Sequence, residues 1–286
     1  MNHKFGGIWT RKKLDILSKY LAFYCQALKK QPFNLHYADA FAGTGTHIPT
    51  NLNDEQEVLI DQGALEGSVR AALNIEPGFH KYHFNDLDPA HVRELEQLKQ
   101  SHQQKEICIS QLDANQFVEV FCKSLQSSDR AVLFVDPYSS ELDWDTLRYV
   151  ASSQKVDLWL LFPISVIIRM TPKSEERIRP EWKPTLNRLL GTDQWEQSLY
   201  QCKEEPRTRD LFGGTSNEPV KERLNTEELG RWVTERLKEL FPYVSDPVAL
   251  NNNNRPLFNF YFIVSNPNKK AQSLAQRVVK HILKNE

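Results

Sequence analysis

Cysteine is sparse in this sequence and scattered: Cys25, Cys108, Cys122 and Cys202 form no Cys-x-x-Cys pair. That spacing argues against a zinc ribbon, an iron–sulfur cluster and a disulfide framework. His36, His80, His83, His91 and His102 show no metal spacing with partner ligands, so no metal site is expected. A Walker loop is excluded because no Gly-Lys-Ser/Thr occurs, and there is neither a Gly-x-Ser-x-Gly elbow nor a cysteine in a nucleophile setting. No apolar run approaches the roughly 18 residues that a membrane span needs. The opening Met1-Asn2-His3-Lys4-Phe5 has no apolar core followed by small residues, so no secretory leader is expected. The expected compartment is a reducing cytoplasm.

What is present is the composition of a folded chain. Of the residues 40% are hydrophobic and 26% charged, enough for a substantial core and incompatible with wholesale disorder. No internal repeat, low-complexity tract or linker-like stretch divides the 286 residues, so a single domain (1–286) with insertions is expected. The net charge of −1 hides an uneven distribution. Residues 1–30 carry +6, residues 51–66 carry −5, and residues 269–286 carry +4. A polyanion could find a basic face at the two ends of the chain, and solvated helix faces account for the same charges.

Along the chain, Leu14, Leu17, Leu21 and Tyr24 recur at helical spacing, which predicts a basic helix over 10–30 with Thr10 as its N-cap. A strand over 34–41 then runs into the small-residue turn Ala42-Gly43-Thr44-Gly45. An acidic insertion over 46–62 follows as a lid, and Gly67-Ser68 caps a short helix over 69–74. Strands are expected at 81–88, 107–113, 131–136 and 156–162, separated by helices at 89–104, 114–125 and 144–152. This alternation predicts a parallel sheet with helices on both faces. The segment 164–221 is richer in charge, Pro and Gly and reads as an insertion, with helices near 165–170 and 182–190 and an exposed loop around Gly213-Gly214. Thr226 caps a helix over 227–240, a hairpin is expected from strands at 246–250 and 256–265, and 270–284 is an amphipathic helix.

The chemistry sits at strand ends. In an open α/β sheet, ligands bind beyond the carboxyl ends of the strands, where strand order reverses. The first end carries Asp39-Ala40-Phe41-Ala42-Gly43-Thr44-Gly45, whose glycines let the backbone approach a ligand. The second carries Asp86-Leu87-Asp88, where an acid can accept from both hydroxyls of a ribose. The third ends in Asp113-Ala114, placed for an exocyclic amine such as that of adenine, and the fourth in Asp136-Pro137-Tyr138. Together these point to a nucleotide-type cofactor. S-adenosylmethionine fits better than a dinucleotide, because the third glycine that opens a helix is missing and an acidic insertion would repel a pyrophosphate.

The runs Gly7-Ile-Trp-Thr10-Arg-Lys-Lys13-Leu14, Tyr37-Ala-Asp39-Ala-Phe41-Ala-Gly43-Thr-Gly45, Gly67-Ser68, Phe134-Val-Asp136-Pro137-Tyr138 and Asp157-Leu-Trp-Leu-Leu-Phe162-Pro163 resemble the three-Cys-motif partner (TcmP) family. The resemblance covers roughly residues 5–165, and 256–265 resembles the family's last strand. It implies a class I methyltransferase-like fold: a seven-stranded, doubly wound α/β sheet with an antiparallel last strand. It also implies a separate three-cysteine, radical-SAM-like partner protein, and S-adenosylmethionine binding at Asp39, Phe41, Gly43, Gly45, Asp86 and Asp113, with Ala40, Leu87 and Ala114 beside them. Thr10 and Lys13 could approach the cofactor carboxylate from the basic helix; capping and solvation explain them as well. Asp136-Pro137-Tyr138 resembles the (Asp/Asn)-Pro-Pro-(Tyr/Phe) signature of amino-methyltransferases with one proline missing, a difference that changes where the backbone carbonyl points. On that resemblance Asp136, Pro137 and Tyr138 are the catalytic candidates, and DNA or RNA the candidate substrate.

Overall fold

The computed structural model describes residues 8–43, 62–203, 220–252 and 255–284. Strands and helices alternate through its first part: α1 (Ile8–Leu28), β1 (Asn34–Asp39), α2 (Gln62–Leu73), β2 (Lys81–Asn85), α3 (Pro89–Gln100), β3 (Glu106–Ser110), α4 (Ala114–Ser124), β4 (Asp129–Val135), α5 (Trp144–Ser153) and β5 (Val156–Phe162). There follow α6 (Ile164–Met170), α7 (Lys183–Leu190), α8 (Trp195–Leu199), β6 (Tyr200–Lys203), β7 (Val220–Arg223), α9 (Thr226–Lys238), β8 (Tyr243–Val244), β9 (Val248–Asn252), β10 (Arg255–Val264) and α10 (Lys269–Lys284).

The near-continuous apolar runs of β4 and β5 bury both faces of a sheet. Val132, Phe134, Trp159 and Leu161 point into the layer that also holds Leu17, Tyr20 and Leu21 of α1 and Val279 of α10. Their neighbours Ala131, Leu133, Leu158 and Leu160 point into the opposite layer, with Phe117 and Phe121 of α4 and Val233 of α9. β1 to β5 pair in parallel, in the order β3-β2-β1-β4-β5, and β10 continues the sheet antiparallel to β5. Strand order therefore reverses at β1, where Asp39 lies level with Phe84 of β2 and Phe134 of β4.

The sheet has eight strands rather than seven. The expected hairpin forms as β9 and β10, and the additional edge strand β8 has two residues, too few for a periodic signal. The segment 164–221 is also more ordered than its composition suggests, since β6 and β7 pair as a separate antiparallel ribbon. Gly67 and Ser68 lie inside α2 instead of capping it. A Cβ on Gly67 would come within 2.2 Å of the Leu14 side chain, so the glycine lets α1 and α2 approach. The cap of α9 is Asn225 rather than Thr226: its side chain accepts from the Glu228 amide, and the Glu228 carboxylate accepts from the Asn225 amide. Shifting the cap to Thr226 would put Leu229 in the reciprocal position, where no carboxylate is available. Thr10 falls within α1, which begins at Ile8. Residues 46–61 of the expected lid and the Gly213-Gly214 loop lie outside the described residues.

Two stability predictions follow from this packing. Gly191 ends α7 with φ +66°, and a Cβ there would stand 2.1 Å from the Trp144 ring of α5. Gly191→Ala combines left-handed strain with overpacking and should cost about 2–4 kcal/mol in urea denaturation; an unchanged midpoint would contradict the contact. The second concerns the stacked rings of His36 and His83, whose nitrogens lie 3.1 Å apart and which are faced by Lys81, Glu106 and Asp129. Burial lowers both, His83 to about 4. A depressed histidine contributes stability fully above pH 6.5 that is lost as pH falls toward 4, so wild type should lose about 3 kcal/mol relative to His83→Phe across that window. Buried Asp39 and Asp157, raised to about 7 and about 6, run the opposite way, so the difference between the two proteins is the quantity to measure.

Candidate active site

The carboxyl ends of β1, β2 and β4 converge on a cluster of buried charge. Asp39, at the tip of β1, is fully buried and accepts from the Phe41 amide at 3.2 Å, the Tyr37 hydroxyl at 3.5 Å and the Ser68 hydroxyl. Burial pushes its pKa up to about 7; the Ser68 and Phe41 hydrogen bonds and Lys13 pull it down, and the neighbouring Asp136 pushes it up. Lys13, only 4% exposed, reaches from α1 to form an ion pair with Asp136 just past β4. One lysine thus serves two carboxylates. The Tyr138 ring meets Phe41 edge-on at 6.1 Å, and burial together with Asp86, Asp136, Asp39 and Glu141 raises its hydroxyl pKa.

The turn after β1 is held from β2. Gly43 has φ +41°, a conformation natural to glycine, and its amide donates to Asp86 Oδ2 at 2.8 Å. Asp86 Oδ1 accepts from the Asp88 amide at 2.9 Å, so both carboxylate oxygens already hold backbone donors. Beside it, buried Asn85 uses its whole amide: Nδ2 donates to the Ala40 and Leu112 carbonyls, and Oδ1 accepts from Ser110 and the Leu112 amide. This single side chain joins the ends of three strands. Leu87 stands out at 65% exposure, an apolar surface beside the site. Asp113 is exposed and caps α4 through the Asn115 and Gln116 amides, with Ala114 buried behind it.

The loop after Tyr138 is braced from α7. Arg188 pairs with Asp143 and donates to the carbonyls of Ser140, at 2.7 Å, and Glu141, at 3.4 Å. Asn115 of α4 donates to the Glu141 carbonyl from the other side and accepts from Thr146 of α5.

The structure therefore brings Lys13, Asp39, Ala40, Phe41, Gly43, Asp86, Asp136, Pro137 and Tyr138 to one end of the sheet, with Leu87 and Asp113 at the tips of the neighbouring strands. The Thr10 side chain and Gly45 lie outside the described residues. Ser68, Asn85 and the bracing role of Arg188 escape sequence reasoning: Ser68 reads as a cap, Asn85 is overshadowed by the acids after it, and Arg188, which sequence offers only as a phosphate-binding candidate, sits 45 residues from Asp143. Chemically, this end of the sheet is rich in carboxylates with one lysine among them, and this suits a ligand carrying positive charge. S-adenosylmethionine, with its sulfonium and ammonium groups, fits that donor set, and the Leu87 side chain suits an aromatic base. A ribose would share Asp86 with two backbone amides instead of meeting a vacant carboxylate.

The strand order with antiparallel β10 is that of the Rossmann-like, class I methyltransferase-like fold. The DUF519-family protein LPL1258 from Legionella pneumophila aligns over 98% of this chain and 92% of its own with a TM-score of 0.51 at 14% identity, a likeness of fold. Weaker matches include the N-terminal domain of EvdMO1 with SAH bound (10% identity, 85% of this chain and 79% of that one, TM-score 0.34) and the putative methyltransferase yhhF from Escherichia coli (11%, 72% and 83%, TM-score 0.32); at those scores they carry no argument. No family model and no curated protein matches the sequence, so the TcmP resemblance rests on its motifs. No helix among the described residues is long and apolar enough to cross a membrane.

Removing one partner of a buried ion pair leaves the other charge uncompensated, typically costing about 3–5 kcal/mol. Lys13→Met should lose about that much at pH 8 and clearly less at pH 5.5, where Asp39, titrating near 7, can take up a proton. Equal urea midpoints for wild type and variant at pH 8 would show that the pair does not hold the site together.

Proposed function

We propose that this protein is an S-adenosylmethionine-dependent methyltransferase whose acceptor is an amino group of a nucleobase in DNA or RNA. The observation that carries the reading is the placement of Asp136-Pro137-Tyr138 beyond β4, beside the strand-order reversal, within a cluster dominated by carboxylates. Asp39, Ala40, Phe41, Gly43, Gly45, Asp86, Leu87, Asp113 and Ala114 are the residues that would hold the cofactor, which supplies a methyl group activated by a sulfonium.

The rest is the work of the chain's own side chains. Asp136 accepts an N–H of the target amine and Pro137 shapes the turn that presents it, which orients the nitrogen lone pair outward. The Tyr138 ring provides a face for a base taken out of its stack. After transfer the acceptor nitrogen carries the positive charge and sheds a proton, and the Asp136 carboxylate is the acceptor within reach. Lys13 balances the surrounding negative charge, and Arg188 keeps the loop after Tyr138 in place. Most of the rate would come from this positioning and from desolvating the sulfonium and the amine as they meet.

A second reading is favoured by one feature: Lys13 already satisfies Asp136, and two backbone amides already satisfy Asp86. On it the protein is a non-catalytic scaffold that presents nucleic acid or protein to a three-cysteine, radical-SAM-like partner.

Calorimetric titration with S-adenosylmethionine and S-adenosylhomocysteine, followed by methyl transfer to mixed DNA and RNA, separates the two. Wild type should bind both compounds. Asp136→Ala should bind them within a few-fold of wild type and lose transfer by about 10²-fold or more. Absence of binding to either compound would remove the methyltransferase reading, and full activity in Asp136→Ala would remove Asp136 from the chemistry.

A further inference from the structure

α10 carries Lys269, Lys270, Arg277, Lys280 and Lys284 and no acidic residue over its length. At 100° per residue, Lys270, Arg277, Lys280, His281 and Lys284 fall on one side of the helix, with exposed Leu274 among them. The opposite side, Gln272, Ala275, Val279 and Ile282, is buried. Lys270, Arg277, Lys280 and Lys284 make no ion pair among the described residues. α1 lies alongside, and its Lys12, Lys19 and Phe23 share a face by the same spacing, with Lys19 paired to Asp15. Between the two helices runs an open groove of about 610 Å³, with Phe23, Leu274, Val278 and Ile282 against Lys19, Arg277 and His281. Lys19 is six residues along α1 from Lys13, or about 9 Å at helical rise, so this surface continues from the helix that enters the active site.

From this charge pattern and its continuity with the site, we infer that α1 and α10 hold the backbone of a single-stranded nucleic acid. The inference rests on the proposed nucleobase acceptor and names the surface that reading lacks. From Lys270 to Lys284 the basic face spans about 21 Å, long enough to meet several successive phosphates of one strand. The apolar floor favours a single strand over a duplex, because Phe23 offers a ring to an unstacked base while the cations along the rim meet phosphates.

The test is fluorescence anisotropy of the full chain with a labelled, mixed-sequence single-stranded oligonucleotide over a salt series, beside the cofactor titration. Arg277→Gln/Lys280→Gln/Lys284→Gln should weaken binding at least about tenfold and flatten the slope of log K against log salt by about 2, with cofactor binding unchanged. Phe23→Ala should weaken binding about fivefold or more while leaving the slope as it was. Wild-type affinity and slope in the triple variant would overturn the surface and leave the methyltransferase reading standing. Binding lost in the triple variant but no methyl transfer by wild type would support the surface and count against the function. Polyglutamate competing as well as the oligonucleotide would overturn the nucleic-acid assignment in favour of an acidic protein segment.

Discussion

The ion pair between Lys13 and Asp136 is the contact on which this architecture turns. Taking an ammonium and a carboxylate out of water costs several kcal/mol per ion, and that cost is offset only where geometry is good and other charges assist. Here Asp39 lies close enough for its own proton affinity to feel both partners. Without the lysine, the tips of β1 and β4 would set two carboxylates against each other in a buried place. α1 is thereby part of the sheet's electrostatics as well as a cover for its apolar face. Further along the helix, Tyr20 donates to Asp157 at the start of β5 and packs against Trp159 and Phe262. α1 is pinned at both ends of the strands it crosses, and α10, packed beside it, inherits that placement.

A second constraint acts across the strand tips. Backbone groups leaving a sheet lose their ladder partners and must find others when buried. Asn85 supplies them for the segments that follow both β1 and β3, and Asp86 does the same for Gly43 and Asp88. The polar residues at the end of β2 therefore build the floor of the site before they can serve a ligand. This explains why acids recur at the strand ends without all being available. Asp113 caps α4, Asp88 caps α3, and Asp86 ties a turn, leaving Asp136 with a side-chain cation rather than backbone amides as its recorded partner.

Much of the sheet could be read from local pattern, because β4 and β5 are buried on both faces and announce themselves as apolar runs, with β5 placed to the residue. The acidic strand ends were equally visible, since they fall where periodicity stops. The parts that escaped are those decided at a distance. Lys13 and Asp136 are 123 residues apart, and no local rule pairs them. Gly67-Ser68 has the look of a helix cap, but the close approach of α1 favours glycine, and buried Asp39 takes up the serine hydroxyl. β6, β7 and β8 are too short to show a period of two, and they exist because neighbouring strands offer them partners. The bracing of the Tyr138 loop by Arg188 depends on α7 lying over α5, a tertiary fact with no trace in spacing.

The charges of the two regions bear on each other. A site in which Asp39, Asp86, Asp136 and Glu141 surround one tyrosine is suited to a cationic ligand and hostile to a phosphate. Any nucleic acid whose base enters there must keep its backbone outside that field. In physiological salt the field of exposed charges fades over about 8 Å, roughly the distance along α1 from Lys13 to Lys19. Cations beyond that distance can attract phosphates without competing for the carboxylates, and carboxylates inside it can receive an amine without repelling the strand. Sequence neutrality, at a net charge of −1, is what such a division looks like when only totals are counted. On the proposed reading, the carboxylates at the strand tips and the cations of α1 and α10 present opposite charges to the two ends of one substrate.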